Sequence, residues 1–201
     1  MNVQFPDMLR PFLGKLLWRK SSSSKVIYIT FDDGPVPEVT PLVLDLLDEY
    51  NIKATFFCVG ENVEKYPEVY NEVLKRGHRT GNHTYNHLKG ASVSTDEYVA
   101  NVEKASLRIE SNLFRPPYGR IKKKQKKALK AGYEIIMWDV ITHDYNSSLS
   151  PQTIMQNIRR YSRNGSLVVF HDSIKAERNM LTVLPLAIEY WNSKGYSFDV
   201  L

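Results

Sequence analysis

Two hydrophobic periods alternate along the chain. Short apolar runs rich in β-branched and aromatic residues occur at 26–31 (VIYITF), 54–60 (ATFFCVG), 113–119 (LFRPPYG), 133–140 (YEIIMWDV), 166–172 (SLVVFHD) and 196–201 (YSFDVL). Several of them have the composition of buried strands. A seventh stretch, 77–83 (GHRTGNH), is weak on composition alone. Between these runs the apolar spacing becomes helical. Segment 40–51 opens with Thr40 as an N-cap and Pro41 at the first helical position. Segment 61–77 is interrupted by Pro67, which predicts two short helices closing at Gly77. Segment 94–112 starts with the capping-box pair Ser94 and Glu97. Three more helical stretches fall at 121–132, 150–165 and 176–195.

Seven strands with helices between them predict an α/β fold with parallel strands and right-handed crossovers. An eight-fold barrel needs one more unit and about 250 residues. The expectation is therefore a single-domain (β/α) barrel short by one strand and imperfectly closed, with an open doubly wound sheet as the alternative. Residues 1–24 form a separate amphipathic segment with a serine-rich linker (KSSSSK), and 25–201 form the domain.

Composition narrows the function classes. The 201 residues are 42% hydrophobic and 24% charged, which excludes a disordered or collagen-like chain. Much of the net charge of +5 lies in one block, KKKQKK at 122–127. Such a block reads as a solvated helix face, and no nucleic-acid partner is expected. The single cysteine, Cys58, sits among apolar residues and reads as a core thiol. The apolar positions of the first 20 residues are broken by Arg10, Pro11, Gly14 and Lys15, so neither a signal peptide nor a membrane span is visible. That favours a cytoplasmic or membrane-peripheral location, with the N-terminal segment docked on the domain or touching a membrane surface. A monomer is expected.

The polar residues change the picture most. Asp32 and Asp33 end the first strand, and His83 and His87 follow the third. Arg115 and Tyr118 end the fourth, Asp139 and Asp144 follow the fifth, and His171 and Asp172 end the sixth. In parallel β/α folds the C-terminal strand ends share one rim, where sites are built. Two adjacent carboxylates repel unless cations separate their roles. A divalent ion beside one and an arginine beside the other would resolve this conflict. Histidines four apart on a helical turn reach one ion, and with a carboxylate they make an open catalytic metal site. That donor set suits Zn2+ and tolerates Co2+, Ni2+ or Fe2+.

TFDDGP, HTYNH, RPPYG, DY and HD, in this order, resemble the five motifs of the polysaccharide deacetylases, the NodB-homology family or carbohydrate esterase family 4. The resemblance covers about residues 25–201 and implies a distorted seven-stranded (β/α) barrel. It implies that Asp33, His83 and His87 hold the metal. Asp32 would be the general base, oriented by Arg115, and His171 the general acid, backed by Asp144. The backbone N–H of Tyr118 would help bind the oxyanion, and apolar groups near Tyr145 and Val169 would flank the substrate. Ile141 stands where the family usually has an aspartate, and Val169 where it usually has leucine. Asp139 and Asp172 read as structural, His78 and His143 as surface or supporting positions, and Trp138 and Trp191 as core. The implied function is metal-dependent N-deacetylation of an acetylated glycan, of chitooligosaccharide or peptidoglycan type. An O-acetyl esterase on xylan or a similar glycan, and a non-hydrolytic carbohydrate-binding relative, are the alternatives.

Overall fold

The computed structural model describes residues 3–21 and 23–201. Eight strands pair in parallel: β1 (Val26–Asp32), β2 (Thr55–Cys58), β3 (Arg79–Asn82), β4 (Leu113–Phe114), β5 (Glu134–Ile135), β6 (Val140–Ile141), β7 (Leu167–His171) and β8 (Ser197–Phe198). Their order is β5-β4-β3-β2-β1-β7-β6, with β8 added beside the start of β1. Helices α1 (Thr40–Glu49), α2 (Gly60–Lys65), α3 (Pro67–Lys75), α4 (Thr95–Ser106), α5 (Lys123–Leu129), α6 (Pro151–Tyr161) and α7 (Glu177–Ser193) occupy the connections. The result is a curled, seven-strand parallel half-barrel, as the count of apolar runs predicts.

The run at 133–140 is one strand in the sequence and two in the structure. Its first half, β5, pairs with β4, and its second half, β6, pairs with β7 at the other end of the sheet. Between them the Ile136 N–H still donates to the Phe114 carbonyl (2.8 Å), while that of Asp139 donates to Leu167 (3.0 Å). The strand changes partner in mid-course and so spans the seam. Leu17 packs into the same seam, donating to the Ile135 carbonyl (3.0 Å) and accepting from Met137 N–H (2.7 Å).

Strand parity sorts the side chains. Ile27, Ile29 and Phe31 of β1 point outward into the main core, where Phe31 stacks on Phe56 with centroids 4.9 Å apart. α1, α6 and α7 cover that core with Leu44, Ile158, Leu184 and Trp191 among others. Cys58 is buried there as a free thiol. The opposite face of the curl holds a smaller cluster built on Phe57, Leu113, Ile136 and Leu167. Its upper end is polar, because Thr30 and Asp32 continue the inward parity of β1.

Ser94 caps α4 through the Glu97 N–H (3.2 Å), and the 61–77 stretch breaks at Pro67, both as the sequence predicts. Thr40 does not cap α1. Its hydroxyl donates to Asp172 Oδ2 (2.7 Å) and accepts from the Val36 N–H (2.8 Å), tying the loop after β1 to the end of β7.

Residues 7–13 form a 3-10 helix held by charge. Asp139 is fully buried beneath the segment and accepts from Arg10 (2.7 Å), Gln4 (3.1 Å), Arg163 (2.7 Å) and Ser166 (2.7 Å). Asp7 forms a two-pronged pair with Arg163, both contacts at 2.7 Å. Phe5 stacks on Trp18 at 5.0 Å. Met8 and Phe12 stay about four-fifths exposed (78% and 82%) on the outer side. Among the described residues no helix is long and apolar enough to cross a membrane.

Candidate active site

The strand ends converge on a cleft of about 690 Å3. Asp32, Asp33, His83, His87, Tyr118, Tyr145 and His171 all line it, and Arg115 and Asp144 stand directly behind.

Asp33 leaves β1 with φ +87°, a left-handed backbone that redirects the chain immediately after Asp32. The turn lets two neighbouring carboxylates reach one cleft while facing different partners. Gly34 makes room for it: a Cβ there would lie 1.9 Å from Asp172 Oδ2. Asp172 Oδ1 accepts the Gly34 N–H (3.0 Å) and holds the loop. Burial raises the Asp172 carboxyl to about 8, despite the hydrogen bonds from Thr40 and Gly34. Thr84, His87, Tyr118 and His143 also have positive φ, so non-glycine backbone strain gathers around this cleft.

Asp33 Oδ1 lies 3.3 Å from His87 Nε2 and 3.7 Å from His83 Nε2. Two ligands each about 2.0–2.1 Å from a tetrahedral ion sit about 3.3–3.4 Å apart. The Asp33–His87 separation equals this and the Asp33–His83 separation is a few tenths of an ångström longer, a spacing at which the three donors could hold one small divalent cation. The Nδ1–H of His83 donates to the Arg115 carbonyl (2.7 Å), which fixes the tautomer and leaves Nε2 with its lone pair toward the other donors. Burial lowers the His83 pKa to about 4 and keeps this imidazole neutral. Burial pushes the Asp33 carboxyl up, but the His87 hydrogen bond and the charge of the protonated His171 prevail and hold it well below the carboxylate range.

Asp32 is held differently. Arg115 is fully buried and donates through Nη1 to Asp32 Oδ1 (2.6 Å) and Thr30 Oγ1 (2.8 Å), and through Nη2 to the Met137 carbonyl (3.0 Å). Its guanidinium lies 4.0 Å from the centre of the Phe57 ring. The pair orients one oxygen of Asp32 and leaves the other for the cleft.

Asp144 grips His171 twice: Oδ1 takes the ring Nδ1–H (2.7 Å) and Oδ2 the backbone N–H (2.8 Å). Nε2 is left for the cleft. Burial lowers the His171 pKa, but the charge and hydrogen bond of Asp144 outweigh it and raise the pKa to about 9. At neutral pH this ring is a proton donor. The Tyr145 ring meets it edge-on at 4.8 Å, and His143 Nδ1 pairs with the Tyr145 hydroxyl (2.9 Å) in a supporting position. Across the cleft the Tyr118 ring contacts His87, centroids 4.7 Å apart.

Two expectations are corrected. Val169 does not line the cleft. It faces the same way as His171 but one layer deeper on β7, and is fully buried. Ile141 forms that part of the wall instead. Trp138 is not a core residue; it is half-buried on the wall, packed over Gly119, where a Cβ would meet its ring at 2.3 Å. Lys89, Arg120 and Lys175 also line the mouth and were not anticipated. Their signal was position, since each follows a motif by a few residues. His78 lies away from the cleft, buried, with Nδ1 accepting the Ala54 N–H (3.1 Å).

An oriented carboxylate and a protonated imidazole on either side of a three-donor site are the working parts of a hydrolase. Residues 19–136, more than half of the chain, match the model of the polysaccharide deacetylase family. A peptidoglycan-N-acetylglucosamine deacetylase of Bacillus cereus is 36% identical over 92% of this chain and 90% of its own length. Chitin deacetylase 2 of Saccharomyces cerevisiae is 32% identical over 72% of this chain, which spans 49% of that enzyme. The solved structure of the Bc1960 peptidoglycan N-acetylglucosamine deacetylase superposes with a TM-score of 0.90 at 31% identity, covering 98% of this chain and 95% of its own. The chain belongs to the polysaccharide deacetylase family.

Proposed function

We propose that the chain hydrolyses N-acetyl groups of glycans containing N-acetylglucosamine, of peptidoglycan or chitooligosaccharide type, with a divalent cation held by Asp33, His83 and His87. Zn2+ fits that donor set best, and Co2+, Ni2+ and Fe2+ are compatible with it. When bound, the ion would polarise the acetamide carbonyl and make a coordinated water easier to deprotonate.

The chain's own residues supply the remaining chemistry. Asp32, steered by Arg115, accepts a proton from the attacking water as the oxygen–carbon bond forms. The backbone N–H of Tyr118 donates to the developing oxyanion, where one such donor is worth about 10²–10³ in rate. His171 gives its Nε2 proton to the sugar nitrogen as the carbon–nitrogen bond breaks. Acetic acid and the amine leave and ionise in solvent to acetate and an ammonium, and the site resets as Asp32 releases its proton to solvent and His171 takes one up. Tyr145 and Ile141 wall the side where the acetyl methyl would lie.

The observation that carries this reading is the Asp144-bound His171, protonated up to about pH 9. An amine is a poor leaving group without a proton, whereas an alcohol leaving an ester needs less help, so the feature favours amide over ester hydrolysis. The test is acetate release from N-acetylated chitooligomers, peptidoglycan and acetylated xylan, each with and without chelator. Chelator-sensitive release from the first two is expected. Release from xylan alone would select the esterase, and release from none would select a binding relative.

A further inference from the structure

Three cations stand around the mouth of the cleft. Lys89 follows the His87 turn, Arg120 follows Tyr118, and Lys175 follows β7. All three are exposed, and among the described residues none forms an ion pair. Lys89 and Lys175 lie over the rings of Tyr118 and Tyr145 at 6.0 and 5.7 Å, which places their charges against the two aromatic walls of the cleft. Among the described residues the carboxylates lining the cleft are Asp32 and Asp33, engaged by Arg115 and by the histidines. Arg120 also borders an adjoining chamber of about 530 Å3 that shares Trp138, Tyr118 and Gly119 and adds Lys123. The mouth is therefore cationic on several sides, with space beyond it for groups attached to the reacting sugar.

A neutral N-acetylglucosamine polymer offers nothing to those charges. A glycan whose neighbouring sugars carry lactyl or peptide carboxylates does. Building on the deacetylase reading, we propose that Lys89, Arg120 and Lys175 are specificity determinants that select N-acetylated glycans bearing carboxylates beside the reacting sugar. The same charges act in the opposite sense on product. Deacetylation turns a neutral amide into an amine that protonates, and the cationic mouth repels it and any sugar already deacetylated.

The test compares wild type with a Lys89→Gln/Arg120→Gln/Lys175→Gln triple variant and with a Lys89→Arg/Lys175→Arg control. Three substrates are used: soluble glycan strands with peptide stems, the same strands after amidase leaves only the lactyl carboxylate, and penta-N-acetylchitopentaose. The triple variant is expected to lose about tenfold of the kcat/KM ratio of carboxylated to neutral substrate, mostly in KM, as for three exposed ion pairs. The arginine control should keep the ratio. Loss on both strand types points to the lactyl carboxylate, and loss on stem-bearing strands alone to the peptide. Inhibition by glucosamine oligomers, at mildly acidic pH where their amines are charged, should become stronger in the triple variant. A merely damaged cleft would weaken inhibitor and substrate together. An unchanged ratio, or weaker glucosamine inhibition, overturns the proposal and leaves the deacetylase reading intact. Absence of acetate release by wild type from any N-acetylated glycan would overturn both.

Discussion

Asp32 and Asp33 are covalent neighbours with different surroundings, and the backbone turn at Asp33 separates them. Asp32→Asn keeps the three donors, so zinc should still bind while acetate release falls by at least 10². His83→Ala should lose both. Equilibrium dialysis beside an acetate assay distinguishes the two variants. The surroundings of His171, the proposed acid, are equally specific. The His171 pKa of about 9 lies above the ordinary 6.5, so its contribution to stability is complete below about pH 6.5 and is lost as pH rises through about 9. Activity that needs the protonated ring should fall across the same upper limit. Asp144→Asn removes the charge that raises this pKa, so the alkaline limb of the kcat profile should move to lower pH; an unmoved limb would exclude His171 as the acid. The convergence of these side chains on one cleft was legible because each ends or closely follows a strand, and parallel strand ends share one rim; the roles proposed for them come from the family resemblance. Val169 was misplaced because a motif gives order along a strand and not depth in the barrel, and two residues along β7 are one full layer.

At the scale of elements the sequence was most reliable where one period ran uninterrupted. The apolar run 26–31 became β1, and the Pro67 break divided α2 from α3. It was least reliable at 133–140, where a continuous apolar pattern cannot reveal that the strand exchanges β4 for β7 halfway. Trp138 follows from that exchange: it lies in the crossing itself and emerges on the cleft wall. The N-terminal segment is tied to the same crossing through Leu17 and Asp139. Burial alone would raise the Asp139 carboxyl, but hydrogen bonds from Arg163, Arg10 and Ser166 hold it low. Asp139→Ala empties a buried pocket and leaves Asp7 as the remaining carboxylate partner of Arg10 and Arg163, so the loss should stay at the low end for a broken buried pair, about 3 kcal/mol, or about 10 °C in Tm. Thermal unfolding checks this, and a shift under about 2 °C would show that the segment is not anchored there.

For the molecule as a whole, curling a parallel sheet brings five strand ends and their loops to one rim, so residues over a hundred positions apart meet without a second domain. In the proposed site the donors come from Asp33, just after β1, and from the turn after β3, so cation binding would report on these two strand ends being held together. A ligand that binds only the native chain stabilises it by mass action. Zinc should therefore raise the Tm of wild type and of Asp32→Asn, and leave His83→Ala unchanged. The most direct measurement is a zinc titration of chelator-treated wild type, with bound metal and acetate release from penta-N-acetylchitopentaose read on the same samples. Release should be absent in metal-free protein and rise in step with binding to a plateau at one ion per chain. Full release without metal, or a plateau of bound zinc with no release, would contradict the account.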